Sequence, residues 1–197
     1  MEKANKKSNV RKLTVVGMLS GICVFMGLSG IGFIPLPFMK ATIMHIPVII
    51  GAILEGPIVG ASVGLVFGLF SIYQNATAPT LLSPIFMNPI VAIVPRVLIG
   101  IVSYYSYIAV VNKFKKPQIA YGVSAFLGTL TNTAGVLGLT YILFSNQYAA
   151  LKDVSNDAVA GILGGIALTN GIPEAVISIL IVIPVVTGLF KMYKRKK

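Results

Sequence analysis

Charged residues are few in this sequence. Asp, Glu, Lys and Arg make up 11% of its 197 residues, against about 25% in a soluble domain. Acids are rarer still, five against sixteen Lys and Arg. There is one cysteine, Cys23, inside an apolar run. A lone thiol excludes a disulfide framework and a cysteine-based metal site, and Cys23 reads as a small core residue. The only histidine is His45, with no HExxH pair and no cysteine partner nearby, so no metal site is expected. A GxxxxGK(S/T) phosphate loop is missing, which excludes ATP binding by that route. No linker has room for a soluble catalytic domain, and no Ser–His pairing is legible. The expectation is therefore a protein that is not an enzyme and needs no cofactor. Any energy it uses comes from an ion gradient or from other subunits.

What the chain has in quantity is apolar length. It is 56% hydrophobic with a mean hydropathy of +0.89, and it carries 20 glycines and 11 prolines. Both residues are commoner in transmembrane helices than in soluble ones. A span needs about 20 mostly apolar residues. Six are predicted, at 12–29, 41–54, 57–74, 89–111, 118–144 and 171–190. The second is short unless the preceding FIPLPF segment contributes, and the sixth follows a polar, glycine-rich approach over 153–170. The fold class is thus all-α, an integral membrane bundle of six transmembrane helices. It forms one domain over 1–197, with basic tails at 1–11 and 191–197.

The basic residues orient this bundle. The N-terminus holds Lys3, Lys6, Lys7, Arg11 and Lys12; one linker holds Lys113, Lys115 and Lys116; the C-terminus holds Lys191, Lys194, Arg195, Lys196 and Lys197. With six spans all three groups fall on one side, and the opposite linkers hold only Lys40 and Lys152. The positive-inside rule makes both termini cytoplasmic. Basic clusters flanking apolar runs report orientation in lipid and not a nucleic-acid footprint. The first span has no small-residue cleavage site after it and is expected to stay on the protein.

Glycines at 56, 60, 64 and 68 in the third span recur every four residues, and Ser71 roughly continues the stripe. They share one helical face and allow close approach of a neighbouring helix. Gly17 and Gly21 repeat the spacing on the first span. The face on the third span is expected to pack inside the bundle, whereas that on the first is a candidate surface for a partner protein.

Polar groups inside spans are candidate site residues. Arg96 lies within MNPIVAIVPRVLIGIVSYY, residues 87–105. Given the orientation above, Arg96, Glu174, His45, Thr131, Asn132 and Thr133 fall in the outer half of their spans. Gln74, Asn75, Asn88 and Asn170 mark the external ends, and apart from Lys12 and Gln118 at the span ends the inner halves hold no charged or amide side chain. This asymmetry predicts a cavity opening outward, apolar with a few placed polar groups. Arg96 either pairs with Glu174 or meets an anionic group on a ligand, which its planar fork would match. Asn132 serves a ligand or an interhelical hydrogen bond. His45 donates a hydrogen bond in the cavity or to a loop. Tyr104, Tyr105 and Tyr107 read as an interfacial belt. Tyr73, Phe70, Phe86 and Tyr141 are placed to close over an organic ligand.

Two segments carry a family likeness. FMKATIMHIPVIIGAILEGPIVGASVGLVFGLFS joins an isoleucine–proline core, a GP turn and a glycine-striped helix; SPIFMNPIVAIVPRVLIGIV has N-P followed by P-R. Over essentially its whole length the chain resembles the substrate-binding, or S, components of energy-coupling-factor (ECF) vitamin transporters. The resemblance implies a subunit of a bacterial cell membrane that captures a vitamin from outside. It implies association with a transmembrane coupling subunit and two ATP-hydrolysing subunits. In that family small residues of the first helix meet the coupling subunit, which points to Gly17 and Gly21. The wording ATIMHIPVIIGAILEGP is most similar to the pantothenate type. For that ligand Arg96 would meet the carboxylate, with Asn132, Thr131, His45 and Asn88 serving its amide and hydroxyls. Glu174, Asn75 and Tyr73 complete the expected site. Riboflavin, a pyrimidine thiamin precursor, folate and cobalamin stay open as substrates. So does a self-sufficient secondary carrier, although that would want acids near mid-membrane.

Overall fold

A computed structural model describes residues 2–35 and 40–195. Met1, residues 36–39 and the last two lysines, and with them half of FIPLPF and parts of both basic tails, lie outside the described residues. The first helix, α1 (Glu2–Leu28), ends at a turn where Gly30 takes φ +76°. Two short antiparallel strands follow, β1 (Phe33–Pro35) and β2 (Lys40–Thr42), with Phe33 opposite Thr42. Next come α2 (Ile46–Glu55), α3 (Pro57–Thr77) and the single turn α4 (Ser83–Phe86). Three long helices complete the chain: α5 (Pro89–Phe114), α6 (Pro117–Lys152) and α7 (Asn156–Arg195).

Punctuation in the sequence explains most boundaries. Proline opens α3, α5 and α6, where its missing N–H has no helical partner to lose. Gly56 separates α2 from α3 at φ +100°, a conformation other residues rarely adopt. Asn88 caps α5 by accepting the Ile90 amide at 2.9 Å.

Among the described residues the protein is mainly helical apart from the hairpin, and five helices are long and apolar enough to cross a membrane. The second expected span is the exception. Helix α2 has ten residues, about 15 Å of helix, against a hydrocarbon core of about 30 Å. It is buried from Ile46 through Ile53 and forms the inner post of the bundle. The expected start of the last span at 171 also shifts. Residues from Asn156 onward are already helical, because the glycine-rich approach packs against α6.

Helix α3 packs chiefly on α5, α5 on α6, and α6 on α7, while α1 lies at the edge against α2 and α3. Arg11 of α1 donates from Nε at 2.8 Å, and also from a terminal nitrogen, to Glu55 Oε1 at the α2–α3 turn. One apolar cluster surrounds α2, with Val48, Ile49, Ile53, Phe67, Ile99 and Val182. A second joins α4, the end of α6 and the first half of α7 through Ile85, Tyr148, Val159 and Leu163. Many large apolar side chains point outward, among them Leu13, Met18, Phe25, Ile142 and Leu180. So much exposed apolar surface suits lipid and not water.

Candidate binding site

Residues from both apolar clusters line a cavity of about 480 Å³. Helical spacing explains how its polar groups converge. On α7, Ile166, Asn170 and Glu174 recur every four residues. On α3, Phe67, Ser71 and Gln74 share a face; α6 contributes Asn132, Thr133, Val136 and Leu137; Arg96 comes from α5 and Thr42 from β2.

Pro95 sets the position of Arg96. Proline has no N–H, so the carbonyl of Val91, four residues back, loses its helical donor. A terminal nitrogen of Arg96 donates to that carbonyl at 2.9 Å. The guanidinium carbon sits 5.4 Å from the centre of the Phe67 ring, a cation–π contact. Nε is buried without a hydrogen-bond partner. Among the described residues no carboxylate lies within 4.0 Å of this guanidinium.

Glu174 is 4% exposed and has other partners. Its Oε1 accepts the Thr42 amide at 2.6 Å and its Oε2 accepts the Thr133 hydroxyl at 3.0 Å. The carboxylate therefore fastens the hairpin to α6 and α7 and forms no direct ion pair with Arg96. Asn132, also 4% exposed, keeps a buried Oδ1 without a partner. Asn75 is engaged at the wall, donating to the Ser71 carbonyl and accepting the Ser83 hydroxyl, both at 2.9 Å.

Arg96, Asn132, Asn75 and Glu174 thus meet in one cavity, and four other expected residues do not join them. His45 is fully buried, its Nε2 within 2.9 Å of the Thr129 hydroxyl and 3.2 Å of the Ser178 hydroxyl. Thr131 donates to the Leu127 carbonyl of its own helix at 2.7 Å. Asn88 is occupied as the cap of α5. Tyr73 is 56% exposed and rests against Phe70. Of the aromatic closers, Phe86 reaches the wall, but Phe70, Tyr73 and Tyr141 do not. Gly17 and Gly21 face outward from α1, and a Cβ on either would meet nothing within 4 Å.

The wall also holds residues not foreseen as site residues, including Lys152, Thr42, Met44 and Phe67. Lys152 had counted only as a loop charge. Ser71 was signalled by its place on the glycine stripe. Among the described residues, two cations and one carboxylate give the wall one net positive charge. Amides, hydroxyls and apolar rings fill the rest, an arrangement suited to holding a small organic acid.

Residues 11–186 match the family of ECF transporter substrate-specific components. This chain belongs to that family. Similar proteins include the pantothenic acid transporter PanT of Lactococcus lactis subsp. cremoris (strain MG1363), 31% identical over 94% of this chain and 97% of its own. The pantothenate transporter PanT of Leuconostoc mesenteroides subsp. mesenteroides (strain ATCC 8293) is 31% identical over 77% of this chain and 78% of its own. The family and these relatives are transporters and not enzymes. With five long apolar helices, this substrate-specific component is a multi-pass membrane protein.

Proposed function

We propose that this chain is the pantothenate-capture subunit of an ECF importer in a bacterial cell membrane. Helix α2, with the hairpin before it, makes the sixth crossing, both termini are cytoplasmic, and the cavity opens to the outside. The distribution of basic residues supports that orientation. A coupling subunit meets α1 at Gly17 and Gly21, and two ATP-hydrolysing subunits supply the energy.

One observation carries the ligand class. Arg96 brings a full charge to the cavity wall, and the one acid there has both oxygens engaged elsewhere. An excess of positive charge on such a wall is unfavourable, and a ligand carboxylate removes that penalty. Pantothenate is a hydroxy-amide with a single carboxylate, matching the single net charge of the wall. Asn132, whose Oδ1 has no partner, serves its amide or hydroxyls. Names of relatives similar over most of the chain point to the same substrate.

Binding of radiolabelled pantothenate to the purified chain, without ATP, tests this. The wild type binds saturably, and Arg96→Gln loses about 2–4 kcal/mol, the strength of a charge-assisted pair. Unchanged affinity in a folded variant removes Arg96 from the ligand. Saturable binding of another vitamin in place of pantothenate changes the substrate and keeps the class. Accumulation in proteoliposomes holding this chain alone overturns the class and favours a secondary carrier.

A further inference from the structure

Lys152 lines the main cavity and yet is exposed to solvent. A side chain in both settings stands at the mouth of the cavity. Its backbone is well held. One turn back, Tyr148 and Ala149 are buried in the apolar cluster shared by α4, α6 and α7. Asp153 then takes the left-handed conformation, φ 54°, and ends the helix. The amides of Asp153 and Val154 both donate to the Ala149 carbonyl, that of Val154 at 3.1 Å. Lys152 is thus the basic residue of the last turn, where the free carbonyls of a helix end favour a cation. Among the described residues no carboxylate lies within 4.0 Å of its ammonium. Asp153 and Asp157 follow it in the chain, but neither lines the cavity.

The two cations of the wall stand in different settings. Arg96 is half-buried, braced by the Val91 carbonyl and the Phe67 ring, and shares the wall with the carboxylate of Glu174. Opposite charges on one wall largely cancel at a distance. Lys152 is therefore the source of the net positive charge that an approaching anion meets. Leu82, Phe86 and Leu137 also line the cavity, and apolar walls concentrate a field within a cleft. We infer that Lys152 is the entry residue for the anionic ligand: it raises the rate of capture and leaves retention to Arg96. This rests on the main cavity's being the pantothenate site. A charge at a rim acts on encounter and on its salt dependence, whereas a charge inside a site acts on escape. Asp153 and Asp157 shorten the reach of the field, so its effect is confined to the approach to the mouth.

The test is the rate of capture of radiolabelled pantothenate by the purified full chain, followed by rapid filtration, with release followed by chase. At about 10 mM salt, Lys152→Gln lowers the on-rate about threefold and Lys152→Glu about tenfold. Lys152→Arg, which keeps the charge, captures like the wild type. At about 0.5 M salt, where the screening length is about 4 Å, the wild type and all three variants agree within about twofold. Off-rates stay within about twofold throughout. Lys113→Gln, which removes a charge beyond the opposite end of α6, leaves capture unchanged. Equal on-rates across the Lys152 series overturn the entry role. So do losses that sit in the off-rate, that persist at high salt or that Lys152→Arg shares. Lys113→Gln slowed as much as Lys152→Gln also overturns it, since total charge would then be the cause. Failure of pantothenate to bind the wild type overturns the main-cavity reading, and the entry role with it.

Discussion

Helices α1 and α3 both carry glycines four apart, and the structure uses the two stripes in opposite ways. On α3, Gly60, Gly64 and Gly68 lie against the backbone of α5, with Gly60 facing Gly100. A Cβ at Gly64 would overlap the carbonyl of Arg96. On α1, Gly17 and Gly21 have nothing near them. The inward face of α1 is a different one, made by Ser20, Cys23 and Gly27. Spacing alone does not separate the two stripes. The difference lies in the neighbour: α5 presents its own glycine at the crossing, so two bare backbones touch. The stripe on α1 is small-residue surface left uncovered, the face proposed above for the coupling subunit.

Breaking the packed stripe has the largest expected effect. Gly64→Leu forces α3 off α5 and displaces the backbone of Arg96, at a cost on the order of 3 kcal/mol or more. Thermal melting of the purified chain in detergent, with pantothenate binding alongside, measures both losses. A Gly64→Leu protein that melts and binds like the wild type would show the crossing to be looser than described. Glu174→Gln gives a middle value, because it weakens a contact made by hydrogen bonds and not by close approach. Loss of the charged acceptor for the Thr42 amide and the Thr133 hydroxyl lowers stability by about 1.5–3 kcal/mol. Faster proteolysis near the hairpin should accompany that loss, and unaltered cleavage would separate the carboxylate from the hairpin's position. Smallest of all is the effect of Gly17→Leu with Gly21→Leu on the isolated chain, within about 0.5 kcal/mol. The same double variant should bind pantothenate normally and fail to copurify with its coupling subunit. Normal copurification would place the docking surface elsewhere.

Hydropathy located the long helices well because it measures contact with lipid. The fifth span was expected to stop at 144, and Phe144 is where α6 leaves helical geometry, at φ −135° and ψ 22°. The chain nevertheless continues as helix to Lys152, since the residues beyond pack on α4 and α7 and need not be apolar all round. For the same reason the start of α7 was hidden behind Gly161, Gly164 and Gly165. Among site residues, the helix that carries each was legible and its direction around that helix was not. Depth and chemistry give His45 a hydrogen bond in the cavity or to a loop. Its side chain turns instead toward Thr129 and Ser178 inside the bundle. Lys152 was missed because only the continuation of α6 carries it to the cavity wall.

Pro95 has a kinetic consequence. The carbonyl it strands holds Arg96 in place, and Phe67 flanks the guanidinium. An arginine side chain otherwise carries about 2 kcal/mol of rotamer entropy, and these two contacts remove much of that freedom. Preorganisation of this kind acts mainly on escape rather than encounter. A scarce nutrient, once caught, would have a long residence time, leaving the slower machinery of import time to act.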